Sequence, residues 1–516
     1  MADLTPEQWR ERLEHELEEA QPVVSLCSAY YAGQHRLQFA TSKFREAFGD
    51  LFEAFATNWC GLVVDVAVER LGIQGFRFGD DDADDDAWKM WQDNAMDAKS
   101  LQVHTEAVKC GTAYLIVGPP RAPGGSPVIT VEAPNQVIVA HDPSDRSIRL
   151  AALKKYVAAN GDPVCVVYLP DRVVEFRRSG ARANLEVMGV EIVGTAGGDW
   201  EVWSDTEHPL GVVPVVPLEN APDLVHGGTS DLRPAIALND AANKFFTDMI
   251  HASEFTSFPQ RILTGVELPR DPVTKEVLSD AQVRAAVSRL WAFESPDASV
   301  TQLAVGDLSS YVEGVDLAVQ HLAAQTRTPP HYLLAKLANL SGDALKAAET
   351  GLVARCKRKH LDFSDGHEEA MRLAFRWRAI DREQRGDADG AVHDRRRAEM
   401  LDAETIWTDP ESKNPVALAQ MLTQKQAIGV PWKTLMEEAG YSPQQIKRME
   451  RLRKLEQQEA QARAEAEAAA AKADAEAENA NPGTYAGGKP IVVESTPTGV
   501  TVIGLPGPPS EDVEAA

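Results

Sequence analysis

Thr328-Pro329-Pro330 constrains this chain most sharply, because successive prolines remove backbone donors and bias the preceding residue out of the helical region. From about Leu308 to Gln325, just before this break, Leu308, Tyr311, Val312, Val315, Ala318, Val319 and Leu322 recur at three- and four-residue spacing. That spacing predicts a helix with one apolar face. A matching helix is predicted upstream, where Thr229-Ser230-Asp231 offers N-cap chemistry and Leu238, Ala241, Ala242, Phe245, Phe246, Met249 and Ile250 share a face. About 22 residues make a rod of roughly 33 Å. Between the rods, Phe258 to Gly306 carries a strand-like Arg261-Ile262-Leu263-Thr264, a turn at Pro269 to Pro272, a helix near Asp280 to Trp291 and a strand around Val300 to Val305. Such a short insert with little apolar face makes no private core, so neighbouring copies would have to supply one.

After the proline break comes His331-Tyr332-Leu333-Leu334-Ala335-Lys336-Leu337-Ala338-Asn339-Leu340, expected to be a loop too apolar to lie bare in water. Ser341 then caps a third helix with Asp343 in its first turn, where the macrodipole favours an acid. Leu345, Ala348, Leu352 and Cys356 share one face, followed by Arg355, Lys357, Arg358 and Lys359. This basic cluster suits either passing phosphates or the negative end of a helix that breaks at Ser364-Asp365-Gly366. Glu369, Met371, Leu373 and Phe375 resume the helix, giving a kinked rod.

Upstream, Thr5-Pro6-Glu7-Gln8-Trp9 combines a cap and an N1 proline and predicts a charged helix through Glu19. Helical character continues from Pro22 to Leu71, with a stripe of Phe44, Phe48, Phe52 and Phe55 that reads as core, because few basic residues flank it as a base-stacking platform would require. Ile73 to Phe78 is a short alternating strand, and the Asp80 to Asp86 run beyond it lacks the glycine and terminal glutamate of an EF-hand loop. A solvated acidic loop is expected there. Trp88, Trp91, Gln92 and Asn94 lie on the next helix, and Gly111-Thr112-Ala113-Tyr114 begins β-structure. From Pro127 to Pro217 the period becomes two. Strands are expected at Val128 to Val139, Leu150 to Val157, Val164 to Leu169 and Arg172 to Arg177, in an antiparallel meander closed by Val212 to Leu218.

Beyond the third helix, Arg385 and Arg396 stand where a Ca²⁺ loop around Gly386 to Gly390 would need acids, so that segment reads as a turn. Glu404 to Pro410 reads as a returning strand. Helices follow at Pro415 to Ile428 and Trp432 to Ala439, with a third opened by Gly440-Tyr441-Ser442-Pro443. Lys454 to Glu478 is an exposed helix of Ala, Glu, Gln, Lys and Arg without an apolar seam, and the Pro- and Gly-containing remainder is expected to be mobile.

A formal net charge of −26 argues against tight, non-specific nucleic-acid binding, which depends on cations displacing condensed counterions. It is compatible with DNA as a passing cargo. Five dispersed cysteines and the lack of a signal peptide predict reduced thiols, and no apolar run is long enough to span a membrane. Phosphate-loop, zincin, nucleophile-elbow and dinucleotide motifs are all missing, so no catalytic, cofactor or metal residues are assigned. His360 and His367 lie seven apart with no third ligand near in sequence.

Several motifs carry a resemblance. Asp240-Ala241-Ala242-Asn243, Thr328-Pro329-Pro330-His331-Tyr332-Leu333, and Asn339-Leu340-Ser341-Gly342 followed by Ala344-Leu345-Lys346 resemble portal proteins of tailed double-stranded-DNA bacteriophages. Trp-x-x-Trp-Gln-x-Asn at Trp88 to Asn94, followed by Gly-Thr-Ala-Tyr, is similar to the wing of the type found in siphophages of actinobacterial hosts. The resemblance covers roughly Thr5 to Leu455 and implies an α+β portal fold. Its parts would be a wing (1–228), first stem helix (229–257), clip (258–306), second stem helix (307–328), tunnel loop (329–341), kinked helix returning to the wing (342–412), crown (413–455) and Ala/Glu-rich tail (456–516).

What the resemblance further implies is a structural protein rather than an enzyme. It would form a dodecameric ring at one capsid vertex of the virion, assembled in the host cytoplasm, whose channel passes DNA during packaging and ejection. Partners would be the terminase large subunit and a head-tail adaptor at the clip, with the major capsid protein and scaffold around the ring. His331 to Leu340 would line the channel, and Lys336, Lys346, Lys357, Arg358 and Lys359 are the candidate DNA contacts. The rival readings are a DNA-processing enzyme with dispersed carboxylates around Mg²⁺ and a helical scaffold or adaptor without a channel.

Overall fold

Asp231 joins distant parts of the chain. Rather than opening a helix, it sits among two cations, Arg355 and Lys359, brought from more than a hundred residues away. The computed structural model describes residues 4–34, 38–39, 42, 46, 56–79, 82–178, 185–187, 190–192, 198–257, 261–264, 299–302, 307–334, 342–411 and 413–479. The phenylalanine stripe, the clip helix near Asp280 to Trp291, residues 335–341 and the terminal remainder lie outside them. The chain forms two compact units, residues 1–443 and 444–516.

In the first unit, helix α1 (Pro6–Tyr31) starts with a capping box in which Gln8 N donates to Thr5 Oγ1 and Thr5 N donates to Gln8 Oε1. It does not stop at Glu19. Pro22 is accommodated inside it. Trp9, Leu13 and Leu17, four apart, are buried against Leu153, Cys165, Val167, Val174 and Phe176 of a five-stranded sheet. Full burial of a leucine such as Leu13 contributes about 2 kcal/mol.

That sheet runs β10 (Glu201–Glu207), β7 (Arg172–Arg177), β6 (Pro163–Tyr168), β5 (Arg149–Val157), β4 (Val137–His141), all antiparallel. The expected long strand from Val128 to Val139 divides into β3 (Val128–Glu132) and β4, and β10 was not anticipated because its residues are exposed throughout. The stretch expected to close the meander contributes β11 (Val215–Glu219), which belongs to another sheet and pairs with β2 (Thr112–Gly118), itself paired to β3. Val139 and Ala152 of one sheet pack on Tyr114, Ile116 and Val215 of the other. A small hairpin joins β8 (Leu185–Val187) to β9 (Val190–Ile192).

The larger core gathers α2 (Trp59–Val68), α3 (Asp85–Asp93) and α4 (Met96–Cys110) around β2 and the long helix α8 (Gly342–Gln384). Asn94 fastens α3 to β3, its Nδ2 donating to Pro127 O at 2.8 Å and its Oδ1 accepting from Ile129 N at 2.8 Å. Trp91 is buried, and its Nε1 donates to Asp97. The returning strand is present as β14 (Ala403–Trp407), antiparallel to β1 (Ile73–Phe78).

The helix α8 runs unbroken through Ser364-Asp365-Gly366, where an interruption was expected. Gly366 serves packing: a Cβ there would lie 3.2 Å from Leu218 Cγ and from Pro217 O, so the missing side chain lets α8 approach β11. A turn separates α8 from α9 (Ala388–Glu399), with Asp387 capping the latter through Gly390 N.

The acidic run before α3 is partly fastened rather than simply solvated. Asp84 caps α3 and pairs with Arg397 at 2.7 Å, while Asp86 accepts from Arg378 and Arg397, both at 3.1 Å. Arg378 also reaches the fully buried Asp394, and the two guanidiniums lie 5.0 and 5.2 Å from the Phe375 ring. Burial would raise the Asp86 carboxyl, but Arg378 and the other arginines hold it below the ordinary aspartate value.

The rods form as α5 (Ile236–Ser257) and α6 (Ser309–Thr326). The first starts later than Thr229-Ser230-Asp231 suggested, because Ser230 Oγ donates to Lys109 O and Asp231 is committed to its ion pairs. Phe245 packs beside Gly314, so the rods lie side by side, and their insert ends pair as β12 (Arg261–Thr264) with β13 (Ser299–Gln302). Helix α6 stops at Arg327, in the left-handed region at φ 53°, just before Thr328-Pro329-Pro330. Helices α10 (Pro415–Ala427) and α11 (Trp432–Ala439) form where two helices were expected. The last helix, α12 (Pro443–Asn479), is exposed over residues 451–473.

All five cysteines are free thiols, and burial, with Asp240 and Cys27 nearby, pushes Cys60 up to about 12. Sequence spacing gave His360 and His367 no third histidine, yet the fold supplies one. His104 and His367, both fully buried, share a hydrogen bond of 2.8 Å between their Nε2 atoms, and His360 stacks 4.5 Å from Trp407. Among the described residues no group has the make-up of a metal site.

Burial holds His367 down to about 3 and His104 well below its ordinary value. Below the unfolded value of about 6.5 the unfolded chain binds protons that these rings refuse. Stability is therefore complete above that value and lost as pH falls toward about 3, by on the order of 1 kcal/mol per pH unit per histidine. Urea midpoints between pH 8 and pH 4.5 should fall accordingly, and His367→Gln should flatten the slope.

Candidate functional site

Four elements converge beneath the proline break: the turn before α5, the end of α6, the one-turn helix α7 (Pro330–Leu334) and the first half of α8. The expected loop thus begins as helix. Leu333 is buried within its own subunit, Tyr332 is about one-third exposed at 37%, and the His331 and Tyr332 rings lie 4.6 Å apart. Ala335, Lys336, Leu337, Ala338, Asn339 and Leu340 lie outside the described residues.

Arg355 makes the junction. Its Nε and Nη2 donate to Asp231 Oδ2 at 2.9 and 2.5 Å, Nη1 donates to Thr326 O at 3.0 Å and Nη2 to Val63 O at 3.0 Å. One guanidinium therefore ties α8 to α2, to the end of α6 and to the approach to α5. Lys359 Nζ lies 2.7 Å from the same Asp231 oxygen and also donates to Asn220 Oδ1. Asn220 returns a bond from Nδ2 to Asp231 Oδ1 at 2.9 Å. Burial opposes the Asp231 charge, yet Arg355 and Lys359 overcome it and hold the carboxyl at about 2. Lys359 itself is pushed down by burial, with the like charge of Arg355 adding to it, against the pull of Asp231.

Of the cations proposed to meet DNA, Lys359 is corrected. It is 3% exposed and spent within the subunit, as is Arg355 from the same basic cluster. Lys357 and Arg358 are exposed on α8, with Arg358 Nε 3.7 Å from Asp362. Lys346 lies on the rim of a cleft of about 450 Å³ that it shares with Asp409, Glu411, Glu437 and Glu438.

A second set of contacts fixes α7. Arg70 Nη2 donates to Tyr332 Oη at 3.1 Å, and that hydroxyl donates to Glu349 Oε1 at 3.0 Å. Trp59 Nε1 donates to Leu333 O at 3.3 Å. Burial and the Glu349 bond both raise the Tyr332 phenol. Neither Arg70 nor Glu349 was singled out from sequence: Arg70 is 262 positions from Tyr332 and Glu349 is 17, so no helical or strand period links them.

The charged groups here neutralise one another and brace backbone ends within the subunit. Residues 11–467 match the family described as phage portal protein, SPP1 Gp6-like. The portal protein of Mycobacterium phage L5 is 30% identical over 419 residues, covering 77% of this chain and 78% of the relative. That of Mycobacterium phage D29 is 30% identical over 416 residues, with the same coverage. Among solved structures, the neck of a native gene transfer agent particle computed with C12 symmetry aligns with 74% of this chain and 89% of its own, at 12% identity and a TM-score of 0.42. The chain belongs to the SPP1 Gp6-like family of phage portal proteins. Its function is that of a portal, the DNA conduit at a capsid vertex.

Removing one member of the Asp231 cluster leaves buried charge uncompensated. Asp231→Asn should cost about 3–5 kcal/mol in urea unfolding, whereas Arg358→Ala, at a 62% exposed side chain, should change stability by less than about 0.5 kcal/mol.

Proposed function

We propose that twelve copies close a ring whose axial channel passes double-stranded DNA inward during packaging and outward at ejection. The observation that supports the ring is exposed apolar surface on α10 and on the rods. Helix α10 has no buried residue and leaves Val416 and Met421 exposed, while the rods expose Phe245, Val312 and Leu317. Identical copies joined head to tail cover such surface on every subunit when the rotation closes.

Residues 258–306 then form the clip, where the terminase large subunit and later the head-tail adaptor dock, and the major capsid protein and scaffold surround the wing. Assembly takes place in the host cytoplasm. The segment 331–340 faces the channel, with Lys336, Lys346, Lys357 and Arg358 as the cations nearest the duplex. The net charge of −26 supports passage rather than capture, since each neutralised phosphate adds a salt-dependent hold on the DNA.

Purified protein is expected as rings of about 670 kDa, twelve times 56.2 kDa, with an open centre in electron micrographs. A persistent monomer at high concentration would overturn the reading. Changing Lys357 and Arg358 together to Ala is expected to alter packaging while leaving the rings intact.

A further inference from the structure

Strand β10 ends the five-stranded sheet on one side and is exposed at all seven of its residues. It pairs with β7, and among the described residues no strand pairs with its other side. An edge strand of this kind offers a row of backbone donors and acceptors to an extended chain that comes alongside. The register with β7 slips by one between Val202 and Ser204, so Trp203 has no residue opposite it. An extra residue in a strand re-aims its side chain. The Trp203 indole is 64% exposed and is held by Arg177, whose guanidinium lies 4.2 Å from the ring centroid. Tryptophan and arginine are the side chains that most often anchor protein contacts, and here they stand together in water.

Charge decides what fits there. Asp171, Asp205 and Glu207 lie 3.3, 3.3 and 3.9 Å from Arg172, so one guanidinium serves three carboxylates and that end keeps an excess of negative charge. Arg177 is already spent on Glu175 at 2.6 Å. Two β10 edges set against each other would bring Glu201, Asp205 and Glu207 together from both sides, which disfavours a second copy in this place. Successive side chains of a strand alternate between its faces. Arg177 and Arg172 therefore stand on opposite faces of β7, and so do Trp203 and the acids that they hold. A matching segment alternates apolar and basic residues. We propose that β10 is a docking edge for an extended, lysine- or arginine-bearing segment of another protein. That segment adds to the sheet as a further strand, with an apolar side chain on Trp203 and a cation among Asp171, Asp205 and Glu207.

The probe is a labelled, end-capped peptide, Lys-Val-Lys-Thr-Lys-Val-Lys, added to the full-length protein at about 150 mM salt, where long-range charge attraction is screened. Fluorescence anisotropy should report saturable binding, and amide exchange at residues 201–207 should slow when the peptide is present. A second peptide has the same side chains but a methyl group on each backbone nitrogen, which keeps the charge and removes the donors that strand pairing needs. It should bind about tenfold more weakly or worse. Trp203→Ala and Glu207→Lys each alter an exposed side chain, 64% and 84%, so both variants should fold as the wild type does. Each should weaken binding of the first peptide about tenfold.

Saturable binding that falls with backbone methylation and with both substitutions supports the proposal. Equal binding of the two peptides, or binding that either substitution leaves unchanged, reduces the contact to unspecific attraction by the net charge of −26 and overturns it. No binding up to about 1 mM peptide overturns it as well. Both variants are also compared with wild type in electron micrographs. Rings present in the wild type and lost in either variant would assign the edge to a neighbouring copy and overturn the docking of another protein there.

Discussion

The Asp231 carboxylate, shared by Arg355 and Lys359, is the interaction on which the rest of the structure depends. A lone buried charge costs several kcal/mol, and two buried cations without their acid would cost more. The three groups therefore hold only together, and holding together fixes four pieces of backbone. Arg355 alone reaches Val63 in α2, Thr326 at the end of α6 and the turn before α5. The two rods consequently leave the body from one electrostatically neutralised base.

How much of this was legible in the sequence depends on the range over which each signal acts. The rods, the strands β1 and β14 taken singly and the helices α10 and α11 were legible because periodicity, caps and proline breaks are local. Thr328-Pro329-Pro330 ended α6 as proline chemistry requires. The start of α5 was misplaced because Thr229-Ser230-Asp231 has the composition of a helix cap, while Ser230 and Asp231 bond to Lys109, Arg355 and Lys359 instead. Composition does not reveal which partner a polar side chain will find.

The same lesson applies to the site. The basic cluster from Arg355 to Lys359 reads as one patch along the sequence, but a helix turns 100° per residue and divides it. Arg355 and Lys359, four apart, point inward to one acid, while Lys357 and Arg358 point outward. The i, i+4 spacing was a usable signal for that division. Tyr332 was included only as part of an apolar stretch, since its partners come from α8 and from the turn after α2. Gly366 was taken for a break because glycine is a poor helix former by about 1 kcal/mol, and close packing on Leu218 and Pro217 outweighed that preference.

An uninterrupted α8 has a mechanical corollary. Its 43 residues at about 1.5 Å each give a strut of roughly 65 Å, and a glycine hinge in its middle would have made it two shorter pieces. With β11 seated against Gly366, thrust delivered at the Gly342 end travels along hydrogen-bonded backbone to the Arg378–Asp394 arginine lattice. Helix α8 carries no interruption along this line, so a load applied at one end is passed to the other rather than absorbed at a joint.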